Sequence, residues 1–160
     1  MSSDWKFGRE WVYRDVKPRI IAEQLLESDD GLDIMDYKFF CFNGIVRCLK
    51  VDFNRFSYHQ ANYYDRQFCL LPFGEIVCPP NPSYTIQKPK NFELMVTLAE
   101  KLALGFPFIR VDLYNVNGKI YFGELTLFPN SGFGKFVPEE WDKKLGDFLE
   151  LDKIDKYKMT

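Results

Sequence analysis

An α+β fold, an antiparallel sheet with helices packed on it, is what three features of the sequence predict. Asn43-Gly44 and Asn117-Gly118 each separate two runs rich in aromatic and aliphatic residues, the strongest short-range signal for a hairpin. Residues 91–104 instead repeat apolar side chains at helical spacing. At 160 residues the chain has the length of one domain, and its 16 Phe, 9 Tyr and 3 Trp can fill a core. A single domain over 1–160 is the expectation.

In chain order, residues 19–26 (RIIAEQLL) follow Pro18, end in a polar ESDDG cluster, and read as a buried strand entering a loop at 28–31. Asp36–Phe42 and Ile45–Phe53 are the arms of the first hairpin. Residues 55–89 hold five of the nine prolines with little periodicity, which reads as a long irregular connection. Its aromatics, among them Tyr58, Tyr63 and Phe73, favour order. Asn91 is placed to cap the helix, whose stripe is Phe92, Met95, Val96, Ala99, Leu102 and Ala103, and Gly105 suits its end. Residues 108–115 and 119–127 form the second hairpin. A last helix over 138–149 buries Trp141, Leu145, Phe148 and Leu149.

Composition narrows the function classes. Lys plus Arg number 21 against 23 Asp plus Glu, a formal charge of −2 without the basic clustering of a nucleic-acid protein. No apolar run approaches the roughly 20 residues of a membrane span, and residues 1–8 hold no signal-peptide core, so a cytoplasmic protein is expected. Cys41, Cys48, Cys69 and Cys78 make no CxxC pair, and His59 is the one histidine. They read as reduced, mostly buried thiols, and His59 receives no role.

The chemistry gathers on the second hairpin. Arg110, Asp112 and Tyr114 share one strand face, and so do Glu124 and Thr126. A two-residue Asn117-Gly118 turn in regular register sets Asp112 and Glu124 on opposite faces. A three-residue turn with Gly118 left-handed sets them on one face as diagonal neighbours, about 7–8 Å apart. Carboxylates on a strand are commonly solvated surface, but these lie in apolar runs where an unpaired charge is costly. The second arm runs into PNSGFG (129–134), whose glycines let backbone N–H groups approach an anion. Two acids, an arginine and such a loop suit magnesium with a phosphate. Asp36 and Lys38, two apart, share a face and are expected to look into the same groove. Lys38 taken alone is an ordinary surface lysine. Lys17-Pro18-Arg19 and Lys88-Pro89-Lys90 read as solvated turns that could attract an anionic saccharide.

The ordered blocks AEQLLE, DYKFFCFNG, FIRVDLY and GKIYFGELTLFPNSGFGKF resemble the TupA-like branch of the ATP-grasp superfamily, over nearly the whole chain. The resemblance implies the C-terminal ATP-grasp subdomain, with ATP and Mg²⁺ as cofactors and an acyl-phosphate intermediate, in cell-surface polysaccharide biosynthesis. It implies that Glu23, Gln24, Leu25 and Leu26 form the hinge strand meeting the adenine edge, and that Asp36 accepts ribose hydroxyls. Lys38 faces the phosphates and Arg110 stabilises transferred charge. Asp112 and Glu124 are the magnesium ligands. Thr126 stands where the wider superfamily has Asn, and its hydroxyl can serve as a further ligand. Ser131 and Gly132 belong to a small-residue substrate and oxyanion loop.

The Gly-rich, phosphate-covering N-terminal subdomain of that superfamily has no counterpart before Gly8, so the chain alone is expected to bind ATP poorly and turn nothing over. A separate N-terminal half is then an expected partner, beside an anionic saccharide or peptide acceptor. Two other functions compete: a glycosyltransferase-type protein of the same pathways, and a non-catalytic remnant that binds a partner or glycan.

Overall fold

A computed structural model describes residues 8–27, 34–55 and 57–150. Five strands form one antiparallel sheet in the order β3-β2-β1-β5-β6: β1 Asp36–Phe42, β2 Ile45–Phe53, β3 Gln60–Asp65, β5 Phe108–Val116 and β6 Lys119–Thr126. Two short strands, β4 Gly74–Glu75 and β7 Phe136–Val137, pair separately. Helix α1, Phe92–Leu102, and helix α2, Glu140–Gly146, complete the predicted α+β fold.

Both hairpins close through Asn-Gly turns in which each central residue is left-handed, at φ 51° and 78° for Asn43-Gly44 and 54° and 88° for Asn117-Gly118. Only Gly and, at modest cost, Asn adopt that conformation readily. Each hairpin then inserts one extra residue. On β2 the register shifts between Phe40 and Cys41, so that Lys38 faces Lys50 rather than Leu49. On β6 it shifts between Val111 and Leu113, so that Arg110 faces Thr126. A one-residue slip exchanges the two faces of a strand. These bulges therefore align polar with polar and apolar with apolar across the sheet.

The apolar face, with Tyr37, Phe39, Leu49, Val51, Ile109, Val111 and Leu113, buries against Phe92, Met95, Val96 and Ala99 of α1. Each large side chain withdrawn from water contributes about 1.5–3 kcal/mol. Leu102, placed on the stripe by spacing, is exposed, while Ala103 just beyond the helix is buried. Asn91 starts the helix without a side-chain cap. Its backbone is left-handed and its amide donates instead to the Gly118 carbonyl at 2.7 Å, tying α1 to the second hairpin. Gly105 follows at φ 86°, as a helix stop requires.

Two expectations need correction. Residues 19–26 are in no strand; Ile20, Ile21 and Leu25 are 95%, 75% and 78% exposed. A strand needs a neighbouring edge to bond, and no described residue pairs with this run, so its apolar content had no ladder to join. The following loop at 28–31 lies outside the described residues. Second, the supposedly irregular 55–89 contributes β3 and β4. Asn62, buried in β3, exchanges bonds with Asn81, donating to its carbonyl and accepting from its N–H, both at 2.8 Å. That clamp orders the proline-rich return. Tyr63 and Tyr64 are both buried in the core. The last helix is confined to Glu140–Gly146, with Leu145 buried and Trp141, Phe148 and Leu149 half-buried around it.

Candidate active site

The opposite face of the sheet is charged at its centre. Asp36 and Lys38 on β1 face Asp52 and Lys50 on β2, and Lys38 faces Asp112 on β5. Sequence therefore correctly placed Asp36 and Lys38 beside Arg110 and Asp112. Lys38 Nζ donates to Asp112 at 2.9 Å and contacts Asp36, with Asp52 3.5 Å away. Arg110 grips Asp112 with two parallel bonds of 2.7 Å and reaches Glu124 at 2.6 Å. Asp112 and Glu124 do share a face, as the magnesium reading needed. The turn, however, is the two-residue one, and the bulge restores the alignment that a three-residue loop was expected to supply. A Cβ at Gly123, beside the bulge, would stand 3.0 Å from the Asp112 carbonyl oxygen, so a side chain there would require its neighbours to give by a few tenths of an ångström.

Lys50 donates to Glu75 of β4 at 3.0 Å, and Tyr63 Oη donates to the same carboxylate at 2.5 Å. Arg55 reaches Asp36 at 3.2 Å. None of Lys50, Asp52, Arg55 and Glu75 was singled out from sequence. One signal was available: β1 begins DYK and β2 ends KVDF, and antiparallel pairing brings Asp to Asp and Lys to Lys.

Asp36, Asp52, Glu75 and Asp112 are buried, Asp112 to 2% exposure. Burying ions costs several kcal/mol each unless they are paired. Pairing here is incomplete. Five carboxylates (Asp36, Asp52, Glu75, Asp112, Glu124) meet four cations (Lys38, Lys50, Arg55, Arg110), and Asp36 Oδ1 is buried without a hydrogen-bond partner. Burial works against charge on Lys38, but Asp112 and Asp36 outweigh it and hold the ammonium above its ordinary range. Arg110 is likewise raised, burial being outweighed by Asp112. Burial pushes the Asp112 carboxyl up while Arg110 and Lys38 pull it back. Burial prevails, and the Asp112 carboxyl stands above its ordinary range. On Glu124, burial is outweighed by the Thr126 hydroxyl at 2.9 Å and by Arg110, and its pKa is lowered.

A lowered carboxylate pKa stabilises the fold above the unfolded value of 4.5 and is lost as pH falls through the folded pKa. Wild type is therefore expected to lose its stability advantage over Glu124→Gln below about pH 4.5. Urea midpoints of the two proteins between about pH 6 and pH 3 check this.

Asp112 and Glu124 already converge on one positive group, the Arg110 guanidinium, and all the donors are hard oxygens. The all-oxygen donor set fits a divalent cation between Asp112 and Glu124, with the Thr126 hydroxyl alongside.

The remaining sequence-predicted residues lie elsewhere. Ser131 donates to Glu10 at 2.9 Å and is not brought into the charged row. Asn130, Ser131 and Gly132 are successively left-handed, at φ 49°, 55° and 77°. Asn130 approaches Glu75 at 3.5 Å. Glu23, Gln24, Leu25 and Leu26 stand outside the sheet, as above. Further along the charged face, Phe40, Phe108, Phe128 and Phe136 help to line a cavity of about 640 Å³ with Glu75 and Gly132 at its wall. Sequence assigned His59 and Cys78 nothing, but His59 bonds Asp52 at 3.1 Å and lies 3.6 Å from the Cys78 sulfur. All four cysteines are free thiols, and Cys69 is exposed. No described helix is long and apolar enough to cross a membrane.

A five-stranded antiparallel sheet with a helix on one face and paired charges on the other has the form of an ATP-grasp-like subdomain. A family model described as TupA-like ATPgrasp matches residues 1–150, and the chain belongs to that family. No curated protein and no solved structure gives a significant match.

Proposed function

We propose that this chain is the nucleotide-binding part of a magnesium-dependent, ATP-consuming ligase acting in cell-surface polysaccharide biosynthesis. The observation that carries the reading is the convergence of Asp112 and Glu124 on one cationic position beside Lys38, in a chain of the ATP-grasp class. Bound Mg·ATP would supply the phosphoryl group that activates a carboxylate.

The chain's own residues hold and position. Asp112 and Glu124 would carry the cation, with Thr126 as a neutral ligand. The Arg110 guanidinium, released from bridging the two acids, would turn to phosphate oxygens, which it matches in the same forked geometry. Lys38 lies beside it as a second positive charge, kept protonated by Asp36 and Asp112. The unpartnered Asp36 oxygen is an acceptor suited to a ribose hydroxyl. Residues 23–26, which lie outside the sheet, would meet an adenine edge, and the loop around Ser131 and Gly132, whose Ser131 N–H is held by the Phe128 carbonyl at 3.0 Å, would stand on the acceptor side. The aromatic walls of the neighbouring cavity suit the apolar face of a saccharide ring or a peptide side chain.

The test is a two-dimensional NMR titration of the ¹⁵N-labelled chain with ATP, with and without Mg²⁺, which detects weak binding. Shifts at Lys38, Arg110 and Glu124 that need both components are expected. Absence of shifts there at millimolar ATP, or identical shifts in excess chelator, would defeat the reading.

A further inference from the structure

We propose that Asp52, His59 and Cys78 form a second cation site, selective for a divalent d-block metal of the zinc class and distinct from the magnesium position at Asp112 and Glu124. The three residues come from separate parts of the chain: the end of β2, the turn entering β3, and the loop after β4. Each offers one ligand atom, and the three atoms lie within 4.8 Å of one another. The closest approach of His59 Nε2 to Asp52 Oδ1 is 3.1 Å, and the Cys78 sulfur stands 3.9 Å from the same nitrogen. Donors placed tetrahedrally at zinc bond lengths stand about 3.3–3.6 Å apart, so binding would draw the three atoms together from their present spacing within 4.8 Å.

The sulfur lies at similar distances from both ring nitrogens, 3.6 and 3.9 Å. Metal binding through Nε2 would therefore turn the His59 ring so that this nitrogen faces both the sulfur and Asp52. Charge also permits a cation. Lys38 and Lys50 stand 3.5 and 3.6 Å from Asp52, yet each makes a closer pair elsewhere, to Asp112 at 2.9 Å and to Glu75 at 3.0 Å. Asp52 is thus the carboxylate left with the surplus charge of the network.

The donor chemistry selects the ion. Thiolate and imidazole bind soft and borderline metals far better than Mg²⁺, whereas the Asp112–Glu124 pair offers only oxygen. Three protein ligands leave one position for water or a ligand atom, and Cys78, at 8% exposure, keeps the site largely shielded. An ion here would also tie the β2–β3 turn to the loop after β4, next to Asp52 and hence to Lys38.

The test uses the whole metal-free chain and Co²⁺ as a spectroscopic probe, with Zn²⁺ as competitor. One equivalent of Co²⁺ should give tetrahedral visible bands and a thiolate-to-cobalt band in the near ultraviolet. Both should be displaced by one equivalent of Zn²⁺ and survive millimolar Mg²⁺. Cys78→Ser should remove the thiolate band and His59→Ala should weaken binding at least tenfold, while Cys69→Ser changes neither. A thiolate band that survives Cys78→Ser, or disappears in Cys69→Ser, overturns the proposal, as does the absence of any band in wild type. Should Cys78→Ser fail to fold, alkylation of the wild-type chain decides. Zn²⁺ must slow modification of Cys78, read by peptide mass, and an unchanged rate refutes the site. Magnesium-dependent ATP shifts in Cys78→Ser report separately on the ligase reading.

Discussion

Replacing Asp112 with Ala is expected to lower the unfolding free energy by about 3–5 kcal/mol, with the magnesium-dependent response to ATP lost as well. Asp112 receives two bonds from Arg110 and one from Lys38, and its carboxylate is buried between them. Removing it leaves two partly buried cations facing each other across a vacated space. Arg110 keeps Glu124, and Lys38 keeps Asp36 and Asp52, which places the loss toward the lower end of the range. Asp112→Asn preserves the shape while removing the charge, and should fall between Ala and wild type in stability but match Ala in losing the magnesium response. Urea unfolding measures the first quantity, and the NMR titration measures the second. A stability loss under about 1 kcal/mol would mean that Lys38 and Arg110 relax freely to other partners. Asp112 would then be no fixed ligand, and the proposed magnesium position would lose its anchor.

Much of this site was legible before any coordinates because local rules and tertiary structure agree at the hairpins. Asn-Gly dictated both turns, and the arms β1 and β2 have the bounds that the apolar runs indicate. The common face of Asp36, Lys38, Arg110 and Asp112 follows from period-two spacing once β1 and β5 pair. The bulges were not legible. An extra residue at Gly123 or near Arg47 leaves little trace in composition, yet it decides which residues meet. Lys50 and Asp52 were hidden for a related reason, since they looked like polar interruptions of a buried strand until β1 supplied their partners. His59, Glu75 and Cys78 lie in the proline-rich return, where no periodicity relates positions nearly twenty residues apart. Conversely, residues 19–26 carried a strong apolar signal, yet they pair with neither edge strand, β3 or β6, and local pattern alone cannot report whether an edge is taken.

The alternation that built the charged row also predicts that one residue along β1 reverses the outcome of mutation. Phe39 follows Lys38 but points to the other face, where it is fully buried against Phe92 of α1 with ring centroids 6.2 Å apart. Its lateral neighbours are Leu49 on β2 and Val111 on β5, both fully buried. Phe39→Ala should cost about 3–5 kcal/mol, the transfer free energy of the ring plus the cavity it leaves. That is a large share of the roughly 5–15 kcal/mol available to a domain, so the urea midpoint should fall steeply. The charged row touches none of the deleted atoms. At low temperature, where the variant is still folded, the magnesium-dependent shifts at Arg110 and Glu124 should therefore match wild type. Lys38→Met should instead lose the magnesium-dependent shifts at a comparable cost in midpoint, because removing the ammonium leaves Asp36, Asp52 and Asp112 buried around a vacated charge. If folded Phe39→Ala lost the response, the helix packing would be setting the position of the charged row through the backbone of β1. The two faces would then be one mechanical unit rather than a core and a site sharing a strand.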